Sequence, residues 1–223
     1  MPSNLAEWDT KHRQRAQDSP SGPASLVREL LPLLPRGAAL DLACGTGRHA
    51  LLLAERHQPV TGVDWSPAAL EILEERATAA HLNFRRCRNL QETTSGTYTG
   101  LQLVQWDLEQ TRPQELPPES FDLILCIQYL QRSLFQQMER ALRPGGVLLF
   151  ETYTRAQLCL AGGGLRDEGL PGKGLAVGPK NPAYLLAPGE LRSAFPGLHL
   201  LFYRELRARQ GIASLVAQKL ETG

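Results

Sequence analysis

What this sequence does without narrows its class before any motif is read. Its four cysteines, Cys44, Cys87, Cys126 and Cys159, include no C-x-x-C pair and have no histidine at metal-ligand spacing. Neither a zinc site nor a disulfide framework is therefore expected, and no metal. Scattered thiols of this kind fit a reducing cytoplasm. No apolar run approaches the roughly 18 residues that a membrane-crossing helix needs. Residues 1–18 are polar and charged, so neither export nor a membrane partner is expected. An excess of one charge is missing too: 24 Lys and Arg against 23 Asp and Glu leave a net +1, which gives no electrostatic ground for nucleic acid as a partner. A monomer or weak homodimer is the expected assembly.

What is present suits one globular domain of 223 residues, with 42% hydrophobic and 21% charged side chains. The chain is organised around Ala39-Leu40-Asp41-Leu42-Ala43-Cys44-Gly45-Thr46-Gly47-Arg48-His49-Ala50. A short apolar run ends in a glycine pair and opens an amphipathic segment, the pattern of a buried parallel strand turning into a helix at a ligand. Further strands are predicted at Val60–Val63 ending in Asp64, Leu101–Gln105 running into Trp106-Asp107, Phe121–Ile127 and Val147–Glu151. Helices are predicted from Pro23 to Leu34, Gly47 to His57, Pro67 to about Ala80, and through Leu130, Leu134, Met138 and Leu142 until Arg143-Pro144-Gly145-Gly146. Leu198–Leu206 and Ile212–Leu220 read as a closing hairpin. Asn83 to Gly100, with Arg85, Arg86 and Arg88, reads as a loop insertion, and the glycine-rich stretch near 161–179 as a lid or a plain flexible loop.

Strand and helix alternate, so the expected fold class is α/β: a doubly wound, mostly parallel seven-stranded sheet closed by a C-terminal antiparallel hairpin. Three regions are expected within the one domain: an N-terminal helical cap (1–35), a core (36–152) and a loop, short helix and hairpin (153–223). Ligands of such sheets bind beyond the carboxyl ends of the strands where the strand order reverses. Asp41, Gly45, Gly47, Asp64, Asp107 and Cys126 all fall at such ends.

The order Asp41-Leu-Ala-Cys-Gly45-Thr-Gly47, Asp64, Asp107, Phe121-Asp122 and Arg143-Pro144-Gly145-Gly146 resembles the class I S-adenosylmethionine-dependent methyltransferases, a Rossmann-like family, over about residues 36–152. Within that class the sequence is similar to small bacterial enzymes of the tellurite-resistance type. These often begin Trp-Asp-x-Arg/Lys-Tyr, where this chain has Trp8, Asp9, Lys11 and His12. The resemblance implies S-adenosylmethionine as cofactor. Ala43, Cys44, Gly45 and Gly47 would form the backbone cradle for its methionine end and Asp41 would meet its ammonium. Asp64 would accept from both ribose hydroxyls, and Trp65, Asp107 and Leu108 would frame the adenine. Cys126 would contribute only its carbonyl. Trp8, Lys11 and Arg13 are either a solvated helix face or a flap whose cations meet the cofactor carboxylate.

The expected reaction is in-line methyl transfer to a small molecule, which asks for alignment and exclusion of water more than for a base. Tyr129, Glu151 and Tyr153 are the acceptor-side candidates. The Asn/Asp-Pro-Pro-aromatic signature of base-amine methylation is absent, since Cys126 is followed by Ile127-Gln128-Tyr129. Other readings stay open: an RNA or protein methyltransferase using Arg85 to Arg88, a non-catalytic cofactor-binding partner, or an oxidoreductase reading Gly45-x-Gly47-x-x-Ala50 as a dinucleotide turn.

Overall fold

The computed structural model describes residues 4–17, 22–94, 98–110, 115–161, 178–207 and 211–221. In chain order its strands are β1 (Ala39–Leu42), β2 (Val60–Asp64), β3 (Phe84–Cys87), β4 (Leu101–Gln105), β5 (Phe121–Ile127), β6 (Leu142–Tyr153), β7 (His199–Arg207) and β8 (Gly211–Gln218). They make one sheet in the order β3-β4-β2-β1-β5-β6-β8-β7. The first six strands run parallel, and β8 lies antiparallel between β6 and β7. Class and hairpin are as the sequence implies, but the sheet has eight strands rather than seven.

The additional strand is β3, inside the segment read as a loop. It sits at the sheet edge with one paired side, so Phe84-Arg85-Arg86-Cys87 needs no apolar run to hold its place. A short helix, α5 (Leu90–Thr94), follows, with the Asn89 side chain accepting from the Glu92 N–H at 3.0 Å.

Both faces of the sheet are covered, and the central strand shows why its sequence is apolar throughout. Along β5, Leu123, Leu125 and Ile127 enter one core, while Ile124 and Cys126 enter the other. The remaining helices are α1 (Leu5–Gln17), α2 (Ser25–Leu30), α3 (Arg48–Ala54), α4 (Pro67–Ala79), α6 (Phe135–Ala141), α7 (Ala156–Ala161) and α8 (Glu190–Ser193). Ser66 caps α4, its hydroxyl accepting from the Ala69 N–H at 3.1 Å. Two boundaries differ. The predicted helix to Leu34 is α2 plus one 3-10 turn, leaving Leu33 80% exposed. Likewise α6 stops at Ala141, and Leu142 to Gly146 is already extended in β6. Arg143 there donates to Asp122 at 2.7 Å, and Asp122 also accepts from the Ala38 N–H at 2.7 Å, tying β6 and β5 to the start of β1.

From β1 the sheet extends through β2, β4 and β3 on one side and through β5 and β6 on the other. The crevice for a ligand thus opens beyond the carboxyl ends of β1 and β5. The stretch 161–179 falls mostly on residues outside the described ones.

Candidate functional site

The turn after β1 is built from backbone conformations that few side chains tolerate. Ala43, Gly45 and Gly47 have φ of 55°, 54° and 83°, all in the left-handed region. The Cys44 N–H donates to Val63 O at 2.9 Å and the Gly47 N–H to Cys44 O at 3.0 Å, so the reversal is fastened to β2. The two glycines do different jobs. A Cβ on Gly45 would stand 3.3 Å from the His12 ring, so its absence keeps the cavity wall open. A Cβ on Gly47 would lie 2.0 Å from Leu73 Cδ1. Gly47 lets α4 pack against the turn and does not line the cavity.

Beyond the strand ends lies a cavity of about 700 Å³, within the range of small-ligand sites. The polar N-terminal segment forms its roof. Trp8, Lys11, His12 and Arg15 recur at spacings of three and four, so α1 turns one face to the cavity. Asp9, on another face, fastens α1 to the start of α4: its carboxylate accepts from the Ser66 hydroxyl and from the Ala68 N–H at 3.4 Å. Arg13 faces Glu71 of α4 at 4.0 Å rather than the cavity. Lys11 Nζ lies 4.2 Å from the Trp8 ring centroid, and His12 stacks on the same ring at 5.7 Å.

Negative charge is stored beneath the site. Burial pushes the Asp41 carboxyl up to about 7 despite the Arg48 charge and the Ala50 N–H that favour its ionised form. One Asp41 oxygen is buried without a hydrogen-bond partner. Burial also raises Asp64, although its two oxygens accept from the Gly45 and Ser66 N–H groups at 2.8 and 2.9 Å and His12 stands nearby. Burial lowers His12 against the pull of Asp64. The Trp106 indole N–H and the Tyr129 hydroxyl are likewise buried without partners.

Positive charge lines the opening near β1 and β5. Arg48 donates to Gln128 Oε1 at 3.0 Å, and Gln128 itself has φ 61° at the end of β5. Burial lowers the Arg48 guanidinium, offset by Asp41 and Tyr153.

Of the residues read as candidates, Lys11, Ala43, Cys44, Gly45, Asp64, Trp65, Asp107, Leu108, Tyr129 and Tyr153 line the cavity. Asp41, Gly47, Cys126 and Glu151 are set back from it. Cys126 is fully buried, and burial pushes its thiol far up. Glu151 is held instead by the Ser214 hydroxyl at 2.7 Å and by Arg204 at 3.5 Å. His49 is 3% exposed; its Nε2 accepts from the Ala24 N–H at 3.1 Å, and burial lowers its pKa to about 3. The sequence reading singles out neither Arg15 nor Arg48. The spacing of Arg15 from Trp8 and Lys11, and the place of Arg48 beside the second glycine, were the signals available.

A methyltransferase-domain family model matches residues 40–150, spanning β1 through most of β6. The chain belongs to the class I S-adenosylmethionine-dependent methyltransferases. Trans-aconitate 2-methyltransferase from Paracidovorax citrulli is 31% identical over 154 residues, 66% of this chain and 50% of that protein. The chain therefore spans about half the length of this curated relative. The crystal structure of TehB from Haemophilus influenzae matches at TM-score 0.62 and 18% identity, over 94% of this chain and 67% of that one. A [4+2]-cyclase, SpnF, shares the fold at TM-score 0.60 and 16% identity, over 97% and 94% of the two chains, so the fold alone does not name the chemistry.

The residues of this methyltransferase fit S-adenosylmethionine. An orphaned carboxylate oxygen suits an ammonium, a carboxylate at a strand end suits a diol, and the left-handed turn presents backbone N–H groups where a carboxylate can lie. The Trp65 and Trp106 rings supply apolar faces for a base.

Proposed function

We propose that this methyltransferase transfers a methyl group from S-adenosylmethionine to a small-molecule acceptor. The observation that carries the reading is the cavity of about 700 Å³ roofed by α1, which offers room for a cofactor and a compact second ligand. The cofactor supplies an activated methyl group on a positively charged sulfur. Asp64 holds the ribose and Asp41 faces the ammonium. Lys11 faces the carboxylate, Trp65 covers the adenine, and Asp107 and Leu108 border it. Tyr129 and Tyr153 shape the acceptor side. Relatives named for trans-aconitate methylation and for O-methylation in ubiquinone biosynthesis point the same way.

A macromolecular acceptor has less support. Of the arginines open to such a role, Arg85 and Arg86 are engaged within the fold, while Arg88 stays 91% exposed. Arg85 donates to Gln102 at 3.2 Å and stacks over Tyr98 at 4.5 Å, Arg86 pairs with Glu74, and Arg88 faces Glu92 at 3.8 Å.

Calorimetry with S-adenosylhomocysteine tests the cofactor assignment. Asp64→Ala removes an acceptor of two charge-assisted hydrogen bonds, so affinity is expected to fall about a hundredfold or more. Heat on adding NADH, with none from S-adenosylhomocysteine, would overturn it.

A further inference from the structure

The acceptor side of the cavity carries positive charge that the cofactor reading leaves unused. Arg48 is half-buried, and its hydrogen-bond partner is the neutral Gln128 side chain at 3.0 Å. Arg15 projects from the same face of α1 as Lys11 and His12 and is close enough for its charge to be felt at Arg48, Tyr153 and His12. Among the described residues neither guanidinium forms an ion pair, although the surface arginines 86, 132 and 143 all do. A half-buried cation and an exposed one at the same opening, neither of them in an ion pair among the described residues, favour an anion there.

Among the described residues, the groups lining the cavity that could take a proton are already engaged: His12 stacks on Trp8 beside Gly45 and Asp64, and His49 accepts from the Ala24 N–H. Burial raises the Tyr129 and Tyr153 hydroxyls, so neither ionises near neutral pH. Glu151 is committed to Ser214 and Arg204. Glu109 receives the Tyr184 hydroxyl at 3.4 Å beyond the end of β4, although it lines the same cavity and its charge reaches Tyr129. An acceptor whose nucleophilic atom arrives without a proton asks nothing of these groups. A carboxylic acid arrives already ionised at neutral pH, and its two oxygens match the fork of one guanidinium.

We propose that the acceptor is a small carboxylic acid, bound by Arg48 and Arg15 and methylated on a carboxylate oxygen to give a methyl ester; this rests on the methyltransferase reading above. The carboxylate oxygen forms the new O–C bond, the C–S bond breaks with its electron pair left on sulfur, and no proton is transferred. Opposite charges vanish in the reaction, so it is favoured where water is excluded. Gln128 is a positioning residue that aims Arg48.

The experiment uses the whole protein, methyl-tritiated S-adenosylmethionine, and the anionic, neutral and cationic small-molecule fractions of a bacterial extract, with mild alkali releasing ester methyl groups as volatile methanol. Label should appear in alkali-released methanol from the anionic fraction. Arg48→Gln, and Arg15→Gln, which changes an exposed side chain and leaves folding intact, should each cut that signal about tenfold or more, as loss of a charged contact implies. Calorimetric affinity for S-adenosylhomocysteine should stay within about threefold for both. Alkali-stable label, a phosphate methyl ester included, or label confined to the other fractions, overturns the proposal while the methyltransferase reading stands. A loss of S-adenosylhomocysteine affinity matching the loss of transfer overturns it too, because the arginines then serve the cofactor. No transfer to any fraction, with S-adenosylhomocysteine still bound tightly, removes the methyltransferase reading and this one with it.

Discussion

Replacing Asp41 with Asn separates two demands on one carboxyl group. Asp41 is 1% exposed, and removal from water raises its pKa from 3.8 to about 7. A carboxyl whose folded pKa lies above its unfolded value binds a proton in the folded chain first, so stability falls as pH rises between the two. With about 3 pH units between them at ~1.4 kcal/mol each, ionised Asp41 costs the cofactor-free protein about 4 kcal/mol at pH 8. Asn keeps an oxygen for the Ala50 N–H and does not titrate, and whatever fixed cost its amide adds is equal at every pH. The stability of Asp41→Asn relative to the parent should therefore climb by about 1 kcal/mol per pH unit from pH 4.5 to 7 and then level off. Urea unfolding followed by tryptophan fluorescence measures it, since Trp8, Trp65 and Trp106 all line the cavity. With S-adenosylhomocysteine present the gain reverses: loss of a charged partner for the ammonium should weaken binding about 10- to 100-fold. A stability difference flat from pH 4.5 to 8 refutes the desolvated carboxyl, and unchanged affinity refutes its role toward the ammonium.

Gly47→Ala should cost about 2–4 kcal/mol, because a left-handed backbone gains a Cβ that collides with Leu73; combined with Leu73→Ala the losses should be less than additive in urea unfolding. Asp9→Ala removes the carboxylate that holds α1 to the start of α4. Hydrogen exchange over residues 5–17 should then rise at least several-fold, for about 1 kcal/mol of lost capping, with the rest of the sheet unchanged. His49 has a folded pKa lowered to about 3 from 6.5, so its contribution is complete above pH 6.5 and is lost as pH falls toward 3. By pH 4 that loss is about 3 kcal/mol, and His49→Gln should abolish it.

Legibility followed how strictly a residue's environment limits its type. The buried parallel strands could hold only apolar runs, so β1, β2, β4 and β5 showed plainly, and their acidic ends marked the cavity before any coordinates. β3 did not show because an edge strand tolerates Arg85 and Arg86, one stacked on Tyr98 and the other paired with Glu74. The sequence leaves the roof as either a solvated helix face or a flap because it is polar on every face: Trp8, Lys11, His12 and Arg15 meet a cavity rather than a core, and period alone cannot tell that from solvent. Glu151 was misplaced for a related reason. Its position at the end of a central strand is that of an active-site carboxylate, and only the antiparallel register Glu151 to Ser214 reveals the partner that takes it.

Asp41 and His49 flank the same turn, and their burial acts in opposite senses. Between pH 4 and 6.5 the folded chain holds a proton on Asp41 that the unfolded chain lacks, while the unfolded chain holds one on His49 that the folded chain lacks. The proton difference from the pair is zero, so their slopes cancel and the parent's stability is insensitive to pH on their account. Each single variant uncovers the other residue: Asp41→Asn gains stability as pH rises through this window, His49→Gln loses it, and the double variant is flat again. Above pH 7 the cancellation ends, because His49 is neutral in both states and Asp41 ionises in the fold. The cofactor-free turn then carries a buried anion that Arg48 and the Ala50 N–H offset only in part, and on the proposed reading the ammonium of a bound cofactor would relieve the rest.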